Sequence, residues 1–421
     1  MADAFDTKLQ RYAELTVRVG LNLQPGQRLV VLGPGGQNGV PLEAAPLVRR
    51  IAAEAYRQGA RFVDVMWGDE DLRRIRFESA PRDSFDEYPT WQATTAFEYA
   101  QRGDAVLIIS GSNPDLLAGQ EPALVSQAQR SGSNHTAPFS TLLSANAMNW
   151  SVVAYPGQGW AAVVLPDVPA DERQARLWDV VFHVVRADQP DPVAAWEAHL
   201  RRLRSWCDHL NSRRYAALHF RGPGTDLTVG LPADHVWSGG RMTSQTGIPF
   251  TANVPTEEVA TMPHRERVDG VVAATRPLPY GGALIENFSV TFEGGRVVNV
   301  AAETGEAVLR QMVATDEGAA RLGEVALVPT ASPIFQSGLT FYNILFDENA
   351  ASHIALGRAY RFSLQDGEKL SDEAFRARGG NTSAIHVDFM IGSGAVDVDG
   401  MRADGGAEPV MRQGAWAFDA G

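Results

Sequence analysis

Two histidines in the C-terminal half of the chain sit in surroundings that could hold a metal ion. His386 is followed two residues later by Asp388 in NTSAIHVDFMIGSG, Asn381 to Gly394. In a strand, residues two apart face the same side, so this pair can reach one ion together. His353 lies in FDENAASHIALG, Phe346 to Gly357, which also carries Asp347 and Glu348. Further acids stand in settings unusual for a solvated face. Glu257 and Glu258 follow Asn253-Val254-Pro255-Thr256, and Glu324 in LGEVALVP runs directly into an apolar stretch. A carboxylate that opens an apolar strand must be solvated, paired or bound to a cation, because burying it alone is costly. Taken singly, each of these features also fits an ordinary strand end.

The remaining histidines read differently. His183, His199 and His209 fall within helical patterns, and His135, His219 and His235 have no carboxylate at ligand spacing in an obvious element. All six are expected to be structural. Gly33, Gly35 and Gly36 follow a strand, but GPGG is not the GxGxxG spacing of a dinucleotide site, and Pro34 suits a plain turn.

The elements that must position these groups change character along the chain. Helical periodicity over Asp6–Leu21, Leu42–Gln58 and Thr90–Gln101 alternates with strand-like Arg28–Gly33, Arg61–Gly68 and Ala105–Ser110. Such alternation predicts an α/β domain with a mainly parallel, helix-covered sheet. Asp171–Arg186 and Pro192–Asn211 read as two more helices, the latter with Val193, Trp196, Leu200 and Leu203 on one face. From Tyr215 onward short strands punctuated by Gly-Gly and Pro-Gly pairs predict tight turns. The expectation is therefore an N-terminal α/β domain over 1–211 and an α+β domain rich in short strands over 212–421.

Composition limits the function classes. A formal net charge of -13 argues against a sequence-independent grip on nucleic acid. Cys207 is the only cysteine, so an intrachain disulfide and a thiolate zinc cluster are both excluded, and any metal must use His and carboxylates. The start MADAFDTKLQ lacks the layout of a signal peptide and no stretch of about 20 apolar residues occurs, so a cytoplasmic protein with no membrane partner is expected.

Together, NVPTEEV, LGEVALV, DENAASHIALGRAY and HVDFMIGSG occur in the order found in the thermophilic metalloaminopeptidase family, which the chain resembles closely from Thr251 to Ser393 and more loosely elsewhere. The resemblance implies that Glu258, Glu324, His353, His386 and Asp388 are metal ligands and that Tyr360 is the catalytic tyrosine. It also implies a homodimer and peptide substrates with a free N-terminus. His264, in TMPHRERVDG, matches no family residue and is a candidate for a cleft position. Five N and O donors suit two divalent ions such as Zn²⁺, Co²⁺, Mn²⁺ or Mg²⁺, with Glu258 or Glu324 as the bridge. Glu324 is the first expectation for general base and Glu257 the second, while Tyr360 would donate to the oxyanion. Asp347 and Glu348 are candidates for binding the substrate amine, or for capping their own loop. The same ion pair could serve a dipeptidase or amidase, or a metal-binding protein without catalysis.

Overall fold

The computed structural model describes residues 2–34, 39–280 and 283–419, with Ala2 and Asp3 by backbone alone. Gly35 and Gly36 of the GPGG turn lie outside the described residues. The chain divides into two compact units, Met1–His199 with Arg241–Pro255, and Leu200–Gly240 with Thr256–Gly421. The division falls inside the helix Pro192–Arg213, and Arg241–Pro255 belongs to the first unit.

In the first unit five parallel strands run in the order Asn253–Val254, Trp150–Ala154, Ala105–Ser110, Arg28–Leu32, Phe62–Val65. Parallel strands covered on both faces read as continuous apolar runs, as AVLIIS does at Ala105–Ser110. The helix Ala45–Arg57 turns Leu47, Val48, Ile51 and Ala55 inward at helical spacing. Val30, Leu32, Val106 and Ile108 pack with Ala96, Tyr99 and Phe139 from the helices Thr90–Gln101 and Pro122–Ser144. The expected first helix instead ends as α-helix at Leu15 and continues as a π-turn over Thr16–Gly20, with Leu21 N donating to Thr16 O. Three helices of the first unit, Glu70–Ser79, Pro122–Ser144 and Gln158–Val164, escaped the periodicity reading. Glu70–Ser79 is announced by its cap, Asp69, whose carboxylate accepts from Asp71 N and Leu72 N. Pro122–Ser144 is weakly amphipathic and carries Pro138 inside it, which masks its helical pattern. Among the described residues no helix is long and apolar enough to cross a membrane.

The second unit is antiparallel. Its larger sheet has nine strands, with Thr225–Gly230 and Ala217–Gly222 near its middle. The strands Ala283–Glu293 and Arg296–Thr304 join through Gly294 and Gly295, both at positive φ (53° and 77°), the conformation that a two-residue hairpin needs and a Cβ disfavours. A smaller sheet has four strands in the order Val259–Thr261, Leu322–Leu327, His353–Gly357, His386–Met390. The fold therefore has the expected class: a parallel α/β region, followed by a region of many short antiparallel strands.

Candidate metal centre

The four-stranded sheet sorts its residues by alternation. In the strand His353–Gly357 residues two apart share a face, so His353, Ala355 and Gly357 lie on one side and Ile354 and Leu356 on the other. The register sets Ala326 opposite His353, Glu324 opposite Ala355, Ala355 opposite Asp388, and Gly357 opposite His386. Residues directly opposite in an antiparallel pair lie on one side. Glu324, His353, His386 and Asp388 are thereby placed on one face by hydrogen-bond register alone. Glu258 reaches the same face from the residue before Val259, where the loop is fixed by Glu257 N donating to Asn349 Oδ1 at 2.7 Å.

All five sequence-predicted ligands converge. Glu258, Glu324 and His353 form one group whose donor atoms lie within 4.8 Å of one another, and Glu324, His386 and Asp388 form a second. Glu324 belongs to both. Its Oε1 lies 3.7 Å from His353 Nε2 and its Oε2 lies 3.7 Å from His386 Nε2, so the two oxygens face different histidines. Glu258 Oε2 approaches His353 Nε2 at 3.0 Å, and Asp388 Oδ1 approaches His386 Nε2 at 3.5 Å.

Both imidazoles are oriented for coordination. His353 Nδ1 donates to Ala351 O (3.1 Å) and His386 Nδ1 donates to Arg358 O (2.6 Å). A carbonyl can only accept, so each Nδ1 carries a proton and each Nε2 is left to offer a lone pair toward the carboxylates. Glu258 Oε2 and Asp388 Oδ1 are buried and accept no aligned hydrogen bond. Lone pairs and carboxylates facing one another, with orphaned oxygens, require positive charge between them. The donor set, nitrogen and oxygen without thiolate, fits divalent ions.

Without ions, protons must supply that charge. Burial opposes protonation of His353, but the Glu258 and Glu324 carboxylates beside it outweigh this and hold its pKa well above the usual imidazole value. For His386, burial is likewise outweighed, chiefly by Asp388 and Glu324, and its pKa rises to about 9. Burial pushes Glu324 up despite both histidines. Asp388 is also pushed up by burial, yet the His386 and His353 charges bring it below its ordinary value.

Glu348 also belongs here. Its pKa is driven well above the carboxylate range, first by burial and then by the charges of Glu258, from one group, and Asp388, from the other. Its neighbour Asp347 does not share this role. The Asp347 carboxylate accepts from Phe341 N (2.8 Å) and Asn343 N (3.0 Å) and lies 3.8 Å from Arg276 Nη1, which makes it the anchor of its own loop. Tyr360 stands at the edge of the centre, its ring centroid 4.7 Å from that of His386. Burial, then the charges of Glu324 and Asp388, raise its pKa, so its hydroxyl remains a donor.

The turn leading into the His386 strand is tied to distant chain. Asp316 accepts from Ala384 N (2.7 Å) and from Ser383 Oγ (2.9 Å). Asn381 Nδ2 donates to Gly318 O (2.8 Å) and Gly357 O (2.6 Å). Gly357 itself sits at φ 108°, where a Cβ would meet Ile385 O at 2.2 Å. Sequence reasoning missed Asp316 and Asn381, because a partner 68 residues away leaves no local signal. His264 stays outside both ligand groups; its ring packs against Gly379 and its Nδ1 accepts from Glu266 N (3.2 Å). The six histidines expected to be structural also enter neither group among the described residues. His135 stacks on Tyr88, for example, and His209 on Phe418.

A sheet face that gathers imidazoles and carboxylates around missing positive charge marks a metal-dependent enzyme. Over residues 5–416 the chain belongs to the peptidase family M29, the thermophilic metalloproteases, and is thus a hydrolase of peptide bonds. It is 48% identical to aminopeptidase T of Thermus thermophilus over 414 residues, covering 98% of this chain and 99% of that one. It is 44% identical to aminopeptidase AmpS of Bacillus subtilis, covering 99% of this chain and all of that one. The solved structure of wild-type AmpT from Thermus thermophilus superposes with a TM-score of 0.91 at 46% identity, covering 98% of this chain and 100% of that one. A dioxygenase from Pseudomonas putida KT2440 shares the fold at a TM-score of 0.50 and 11% identity, covering 99% of this chain and 98% of that one. At that identity the likeness concerns the fold alone.

Proposed function

We propose that this chain is an aminopeptidase that removes N-terminal residues from peptides with a free amino end, using two divalent ions held by Glu258, Glu324, His353, His386 and Asp388. The observation that carries the reading is Glu324, common to both ligand groups with one oxygen turned to each histidine. The aminopeptidase names of relatives at 44–48% identity over almost the whole chain support the direction of attack on the peptide. When bound, such ions polarise the scissile carbonyl and bring the pKa of a held water toward about 7.

The residues divide the remaining work. Glu324, with one oxygen turned to each histidine, would hold both ions rather than act as the base. Glu348 feels the charges of Glu258 from one group and Asp388 from the other, and bound cations would offset those charges and leave it ionised, so it is the group we assign to take the proton from the attacking water and pass it to the leaving amine. Tyr360 stays protonated and donates a hydrogen bond to the oxyanion of the tetrahedral intermediate. The enzyme is expected to act as a cytoplasmic homodimer, in keeping with the family resemblance.

The test is removal and return of metal. Dialysis against a chelator should abolish hydrolysis of leucine or alanine anilides, and Zn²⁺, Co²⁺, Mn²⁺ or Mg²⁺ should restore it, while amino-blocked peptides remain uncut throughout. Full turnover by the metal-free protein, or equal cleavage of blocked peptides, overturns the reading.

A further inference from the structure

Ala355 lies at the middle of the ligand-bearing face, yet it carries no donor. Its strand is flanked on both sides, and the register puts Glu324 directly opposite it on one neighbour and Asp388 directly opposite on the other. Cβ atoms of such opposite residues are about 4.5–5.5 Å apart. The Ala355 methyl therefore sits between the roots of two carboxylates that belong to the same ligand group, whose third member, His386, is opposite Gly357 on the same face. The other group, Glu258, Glu324 and His353, is offset toward the Ala326–His353 row and the edge strand Val259–Thr261.

The sheet by itself gives no reason for alanine here. Central strand positions favour β-branched residues, and the Ala355 backbone is ordinary strand with no positive φ. Gly357 is different, since its own backbone demands glycine. A β-branched side chain at 355 would rise from the sheet into the space enclosed by Glu324, His386 and Asp388.

We propose that Ala355 is the floor of the Glu324–His386–Asp388 position, and that its small size is what allows this sheet face to hold two ions instead of one. The inference rests on the two-ion reading above. Valine or threonine at 355 fills the space over the floor and expels the ion of that group. The ion of Glu258, Glu324 and His353 stays, because its donors stand over the adjacent row.

The experiment counts ions. Wild type, Ala355→Ser, Ala355→Val and Ala355→Thr are stripped, equilibrated with Zn²⁺ or Co²⁺, dialysed and analysed for bound metal by mass spectrometry, with folding followed by circular dichroism. Wild type and Ala355→Ser should carry two ions per chain, and Ala355→Val and Ala355→Thr one. β-branched residues favour strands, so two such variants guard against loss of one to misfolding. Two ions in a folded Val or Thr variant beside two in wild type overturn the role of Ala355 and leave the function intact. One ion in wild type overturns the two-ion reading, and the floor inference with it.

Discussion

Loading the centre with metal should expel protons, in a number that follows from the geometry. In the ion-free protein His386 has a pKa of about 9 and His353 one well above the usual imidazole value, so at pH 7.5 both are cationic. Coordination needs both Nε2 lone pairs, which demands that both rings become neutral. About two protons per chain should therefore leave on binding, and Glu348, whose pKa burial and the Glu258 and Asp388 charges push up, adds at most one more. The same shift predicts how ion-free stability varies with pH. His386 is raised in the folded state from an ordinary 6.5, so its contribution is fully present below about 6.5 and is lost as pH rises through about 9. At about 1.36 kcal/mol per pH unit, the upper bound is roughly 3 kcal/mol. The depressed Asp388 reflects the same contact and is not counted again. Calorimetric titration of Zn²⁺ into stripped protein, in buffers of different ionisation enthalpy, counts the protons. Thermal melts of stripped protein from pH 6 to 10 follow the stability, which should fall across that range and be rescued by ions. Release of less than about one proton, or a melting temperature that rises with pH, refutes this charge balance.

The other expectations concern single side chains. Tyr360→Phe should lower kcat roughly 10²-fold with little change in KM, since its hydrogen bond forms mainly in the transition state, and an unchanged kcat removes it from the mechanism. Glu348→Gln should cut kcat by roughly 10² or more without loss of folding. Asp347→Asn should do the reverse, lowering the melting temperature through lost loop hydrogen bonds of about 1–3 kcal/mol while kcat at permissive temperature stays near wild type. Steady-state kinetics beside thermal melts separate the pair, and identical behaviour of the two variants would refute the division between them.

The His386–Asp388 pair was legible from the residues themselves, because a histidine two residues before an aspartate in a strand is a local fact, whereas the full set of five candidate ligands and Tyr360 came from the family resemblance of four ordered segments. The alternation of helix and strand and the glycine-rich turns were equally local, and so gave the class of both regions. The pairing of strands was beyond local reading. Only the register places Ala355 between Glu324 and Asp388, and only tertiary contacts bring Asp316 to the turn before His386. The division between Asp347 and Glu348 shows the same limit. These adjacent acids look alike in sequence, but one is consumed by backbone donors and the other is buried against carboxylates from both ligand groups. What a carboxylate does depends on which donors and charges surround it, and those neighbours come from segments that meet only when the sheet is assembled.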